Sequence, residues 1–180
     1  NFLMVICCVK FLGTVVMITT LKEIGRILAI LDDAVWLNNA KKEILDVSLF
    51  WSVYQHAFEL ILTSNIVLPS DERRLRRIKT VVSKNKFWQA DLKKCKEMYL
   101  SGQFTAADLY HVIEGYNEEA EYIFIANHFS AFKEEANLSS AEIAKVMKIN
   151  KNSVLSWIGH KRNMPKQAYK DAQKIFKNFR

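Results

Sequence analysis

The sequence predicts an all-α protein, a helical N-terminal domain followed by a C-terminal three-helix unit containing a helix-turn-helix. Three observations predict it. Apolar residues recur at spacings of three and four through almost the whole chain, the period of one helix face. Five Gly and two Pro in 180 residues leave few places for breaks. Charge is segregated: residues 139–180 hold ten Lys/Arg against two Asp/Glu, a surplus of eight, whereas residues 1–138 hold sixteen against seventeen. The whole formal charge of +7 therefore sits in the last 42 residues. A solvated face usually mixes signs, so a one-signed segment on a compact domain is an electrostatic footprint for phosphates. With 50% hydrophobic residues the chain can bury a sizeable core. Cys7, Cys8 and Cys95 are an odd number without metal-ligand spacing, which points to a reducing compartment, no disulfide, no metal and no cofactor.

Residues 1–68 are expected to be an apolar helical segment serving as core or as a dimer or partner face. Phe2 to Leu21 carries one charge, Lys10, and is long enough to span a bilayer. A lysine near its centre costs roughly 2.5–3.5 kcal/mol on insertion scales. The readings open here are a buried or dimer-forming segment, a membrane anchor and a signal peptide. From Leu21 to about Ser64 amphipathic stretches alternate. Leu45, Leu49, Val53, Phe58, Ile61 and Leu62 follow helical spacing, with Trp51, Tyr54 and His56 among them. His56 reads as a packed or half-exposed residue rather than a ligand.

Pro69-Ser70 marks a boundary, and Ser70 or Asp71 can cap the next helix. Residues 71–115 are expected to be a helical region. Its run Arg73-Arg74-Leu75-Arg76-Arg77-Ile78-Lys79 has two readings, a solvated helix face or a second phosphate contact or import signal. Lys86 to Leu100 predicts a helix ended by Ser101-Gly102. Thr105-x-x-Asp108 predicts a capping box opening a helix that Gly115 stops. Asn117 then caps a longer helix on which Tyr122, Ile125, Phe129 and Phe132 repeat.

The helix-turn-helix is expected within residues 117–166. Ser139-x-x-Glu142 is a capping box, with Leu138 and Ile143 placed as a hydrophobic staple. Ile143, Ala144, Val146 and Met147 give one apolar face. Lys148 to Lys151 breaks that helix, with Asn150 or Asn152 as the next cap. A second helix is expected from about Ser153 to Asn163, ended by Pro165. Val154, Trp157 and Ile158 lie on one side of it; Ser156, Gly159, His160 and Asn163 lie mostly on the other, flanked by Lys161 and Arg162. Residues 167–180 are expected to be a basic amphipathic C-terminal tail, its face formed by Tyr169, Ala172, Phe176 and Phe179. That tail packs as a further helix, binds a partner or follows DNA phosphates.

The run Val154-Leu155-Ser156-Trp157-Ile158-Gly159-His160-Lys161-Arg162 resembles the third helix of a homeodomain, whose pattern is an aliphatic residue followed by Trp-aromatic-x-Asn-x-Arg. Phe129 stands 28 residues before Trp157, the family's spacing for its first-helix phenylalanine, and Glu142-Ile143-Ala144 falls at the second-helix Leu-Ala. The resemblance covers about a third of the chain, and the layout is similar to divergent fungal mating-type regulators. It implies that Phe129, Ile143, Val154, Trp157 and Ile158 are core. It implies base-facing roles for Ser156, Gly159, His160 and Asn163. Phosphate contacts would come from Arg162 and, by charge, from Lys148, Lys151, Lys161 and Lys166. The sequence departs from the family at His160, which stands where an adenine-reading asparagine is expected and cannot copy its bidentate geometry. Glu135 stands where a core leucine is expected, and Ile158 replaces an aromatic residue.

Enzyme readings find no support: there is no glycine-rich phosphate loop, G-x-S-x-G, H-E-x-x-H or CxxC, and no catalytic residue is expected. The expected function is a nuclear, DNA-binding transcriptional regulator reading double-stranded DNA, with homo- or heterodimer contacts through N-terminal helices. The alternative is a non-enzymatic helical interaction protein, possible at a membrane, whose basic tail binds RNA or acidic lipid.

Overall fold

The computed structural model describes the backbone of residues 2–37, 43–63 and 69–179, with side chains from residue 17 to residue 178 within those ranges. Every regular element among the described residues is helical. In chain order they are α1 (Phe2–Leu31), α2 (Asp33–Leu37), α3 (Val47–Leu62), α4 (Glu72–Ser83), α5 (Trp88–Leu100), α6 (Ala106–Glu135), α7 (Ser140–Met147), α8 (Lys151–Ile158) and α9 (Lys166–Phe176), with a final 3-10 turn at Lys177–Phe179.

Two long helices form the spine. α1 and α6 cross so closely that only glycine fits at two points. A Cβ on Gly25 would lie 1.8 Å from the Val112 carbonyl oxygen, and one on Gly115 would lie 1.9 Å from that of Lys22. Gly115 therefore does not stop a helix, as the sequence suggests; it admits the backbone of a neighbour, and α6 runs on through it. Asn117, expected as a cap, instead holds residue 44: it accepts from the Ile44 N–H at 2.8 Å and donates to the Ile44 carbonyl at 2.7 Å.

Around this crossing lies the first core. Leu21, Ile24, Ile27, Leu28 and Ile30 of α1 are buried against Phe50, Tyr54, Phe58 and Ile61 of α3, Ile78 and Val81 of α4, Leu92 and Cys95 of α5, and Val112, Tyr116 and Ile123 of α6. From residue 17 onward one face of the N-terminal segment is thus core, with Thr19 exposed and Met17 partly buried against it. The rest of the expected Phe2–Leu21 span, through residue 16, lies outside the described side chains, and among the described residues no helix is long and apolar enough to cross a membrane. On α3 the buried stripe is Phe50, Tyr54, Phe58, Ile61 and Leu62. Leu45, Leu49 and Val53, read with Phe58, Ile61 and Leu62 as one helical spacing, do not share that stripe and are more than half exposed.

Polar groups inside this core are joined. Arg77 meets Glu119 through two hydrogen bonds, Nε to Oε1 at 2.6 Å and a terminal nitrogen to Oε2 at 2.9 Å. Asn85 donates to Thr20 at 2.9 Å and to Glu23 at 2.8 Å, and Thr20 donates to Asp91 at 3.2 Å. Asp32 accepts from the hydroxyls of both Tyr54 and Tyr116. Buried ions persist only when paired in this way.

The second core belongs to the C-terminal half of α6 and the last three helices: Ile125, Phe129, Ile143, Val154, Trp157, Met164, Tyr169, Ala172 and Phe176. The basic tail is therefore, over α9, a helix packed on this unit by Tyr169, Ala172 and Phe176. α6 contributes to both cores, so one continuous helix joins the N-terminal helices to α7, α8 and α9.

Candidate nucleic-acid interface

The candidate surface, around α7 and α8, is built by caps that act locally. The Ser139 N–H donates to Glu142 Oε2 at 2.7 Å and the Glu142 N–H to Ser139 Oγ at 3.2 Å, the reciprocal box the sequence predicts. These bonds to Ser139 hold the Glu142 carboxyl below the usual glutamate range. α7 ends where Lys148 takes the left-handed conformation at φ 54°, with the Ile149 N–H returning to the Ala144 carbonyl at 2.9 Å. Asn150 then caps α8, accepting from the Asn152 N–H at 2.7 Å. The turn is thus three residues, 148–150.

α8 buries Val154 and Trp157 against α6, with the Phe129 and Trp157 rings edge to face at 6.0 Å. Phe129, Ile143, Val154 and Trp157 are buried and Ile158 is half-buried. On the other side stand Lys151, Asn152 and Leu155, all exposed, with Ser156 and Gly159 following on the same side at helical spacing.

The helix is shorter than the sequence suggests, ending at Ile158 rather than near Asn163. Proline is not the cause. Gly159 closes the helix, His160 turns the chain at φ 53°, and the Lys161 N–H returns to the Ser156 carbonyl at 2.9 Å. His160 is consequently buried, 8% exposed, with its ring 4.5 Å from that of Trp36 on α2. A ring so placed presents no free edge to a base. Burial, then the Arg73 and Arg77 guanidiniums, push its pKa down to about 3, with Asp71 opposing them. The imidazole is therefore neutral at physiological pH. Asn163 is exposed but lies in the loop beyond the helix, beside a crevice bordered by Arg77 and Tyr122.

Of the five expected phosphate contacts, Lys148, Lys151, Lys161 and Arg162 are exposed and form no ion pair among the described residues. They bracket α8, one in the turn before it, one in its first turn and two in the loop after it. Lys166 instead reaches α6, 2.6 Å from Glu121, which raises its pKa.

Asn152 and Leu155 face outward too, although the sequence pattern does not single them out. Asn150 is the signal that could have found them, since a cap at 150 puts residues 151–153 in the first turn. The homeodomain resemblance points instead to the other end of the helix. No family model, curated protein or solved structure matches this chain.

Proposed function

We propose that this chain is a DNA-binding regulator whose helix α8 enters the major groove by its N-terminal half. One observation supports this reading above the rest: α8 turns Lys151, Asn152, Leu155 and Ser156 away from its core, and the cations bracketing that face are not committed to acids. The first helix of a helix-turn-helix crosses the backbone while the first residues of the second reach base edges. Asn152 can make a bidentate pair with adenine, and Leu155 can meet a thymine methyl. Ser156 and Gly159 stay within the proposed base-facing set; His160 and Asn163 are assigned instead to the junction with the N-terminal helices. Lys148, Lys151, Lys161 and Arg162 hold phosphates, which position the helix without specifying sequence.

Partner contacts belong to the N-terminal helices in this proposal. Leu49 and Val53 lie one turn apart on α3 and are exposed, with exposed Leu45 just before the helix, an apolar surface suited to a second helix face. A nuclear location follows from the proposed activity.

Two variants test the assignment by anisotropy on a panel of duplexes. Asn152→Ala is expected to cost about 1–3 kcal/mol on the preferred sequence and little on others. Arg162→Ala is expected to weaken binding to all duplexes alike and lower the salt slope by about 1. Equal losses on every sequence for both variants would remove α8 as the reading element.

A further inference from the structure

We propose that α4 extends the DNA-binding surface: Arg73 and Arg76 grip the phosphate backbone of the same duplex that α8 reads, next to Lys161 and Arg162. The proposal rests on the DNA-binding reading and goes beyond it, because these residues belong to the N-terminal helices rather than the helix-turn-helix.

The arginine run divides sharply by environment. Arg74 is paired with Asp33, and Arg77 is buried in its two-bond contact with Glu119. Those two serve the fold. Arg73 is exposed and forms no ion pair among the described residues. Arg76 has only Glu72, one turn back at 3.9 Å, with both side chains at least half exposed. An exposed pair of that kind contributes close to nothing and leaves the guanidinium free to engage an anion.

Position makes these cations relevant. Arg73 and His160 line one polar cavity of about 180 Å³, together with Ser130 and Glu134. Arg77, Arg162 and Asn163 border the crevice on the other side of His160. The first turns of α4 therefore abut the α8–α9 loop, with His160 as the shared wall. The acids at this edge are Asp71, which caps α4 by accepting from the Arg74 N–H at 2.8 Å, Asp33 on Arg74, Glu72 near Arg76, and Glu134 in the cavity wall. Arg73 of α4 and Arg162 of the α8–α9 loop thus line the two crevices that share His160, where their mutual repulsion opposes folding and a polyanion relieves it. Arginine suits phosphodiester oxygens because its planar fork donates two parallel hydrogen bonds. Continuity with the α8 face selects duplex DNA over an acidic peptide.

The test uses the full chain and the salt dependence of duplex binding. Each phosphate contact adds about 0.9 to the slope of log K against log salt. Arg73→Gln/Arg76→Gln is expected to lower the slope by about 2 and leave the ranking of sequences unchanged. Lys93→Gln/Lys94→Gln removes the same charge from exposed positions on α5 and is expected to leave the slope as it was. An unchanged slope in the arginine variant, or an equal fall in the lysine control, would overturn the α4 contact. If the slope is unchanged while Asn152→Ala still alters preference, α4 is excluded and the α8 reading stands. Binding of the wild-type chain to phosphatidylserine vesicles but not to duplex would overturn both.

Discussion

Burial of the His160 imidazole makes the fold sensitive to acid within a defined window. Its pKa is about 3 when folded against 6.5 for the free side chain. The group's contribution to stability is complete above pH 6.5 and is lost as pH falls towards 3, because only the unfolded chain takes up the proton. The expected slope from this residue is about 1.4 kcal/mol per pH unit. Urea unfolding at steps from pH 7 to pH 4 should show the wild-type chain losing stability faster than His160→Asn, in which the left-handed backbone is still tolerated. Parallel pH curves would show that the ring is not held neutral. His160 is also where sequence reasoning fails at this scale. Its neighbours along the chain, Gly159, Lys161 and Arg162, suggest a solvent-facing polar strip, and nothing local reveals that Trp36 covers the ring from more than a hundred residues away.

Most helix starts are legible in the sequence, because capping is local chemistry; Asn117, expected as a cap but inside α6, is an exception. Thr105 with Asp108 and Ser139 with Glu142 both form the reciprocal boxes their spacing predicts. Helix ends and faces are less so, because tertiary packing sets them. Gly115 reads as a stop yet sits inside α6, where its missing Cβ lets α1 approach. Gly115→Ala should accordingly destabilise the protein by about 1–3 kcal/mol through overpacking. On an exposed helix the same change would be stabilising by up to about 1 kcal/mol. A thermal melt unchanged or raised by the variant would contradict the close crossing. α4 shows a related division, in which four arginines of one run have different fates according to the helix face they occupy. Arg77→Ala strands the Glu119 carboxylate in the core and is expected to cost about 3–5 kcal/mol in urea unfolding. A cost like that of a surface substitution would mean the pair is not buried.

At the scale of the whole molecule, the all-α class is readable from the apolar period, and the short helices α7 and α8 from their caps and the break between them. The way the two halves are joined is not. A boundary drawn at residues 115–117 cuts through α6, whose first half packs on α1 and whose second half carries Phe129 into the C-terminal core. Trp36 against His160 and the Asn127 side chain donating to the Trp36 carbonyl at 3.1 Å fasten the same junction. Long-range pairings of this kind carry no sequence period. They place the N-terminal helices where they can steady the α8–α9 loop and contribute cations beside it, so DNA binding is expected to be a property of the full chain. The most direct measurement of that claim is selection of the full-length protein on a random duplex pool, repeated with Asn152→Ala. Enrichment of a recurring motif by the wild-type chain, altered or lost in the variant, is the predicted result. Retention of the pool without any motif, identical for both proteins, would contradict a reading helix at α8.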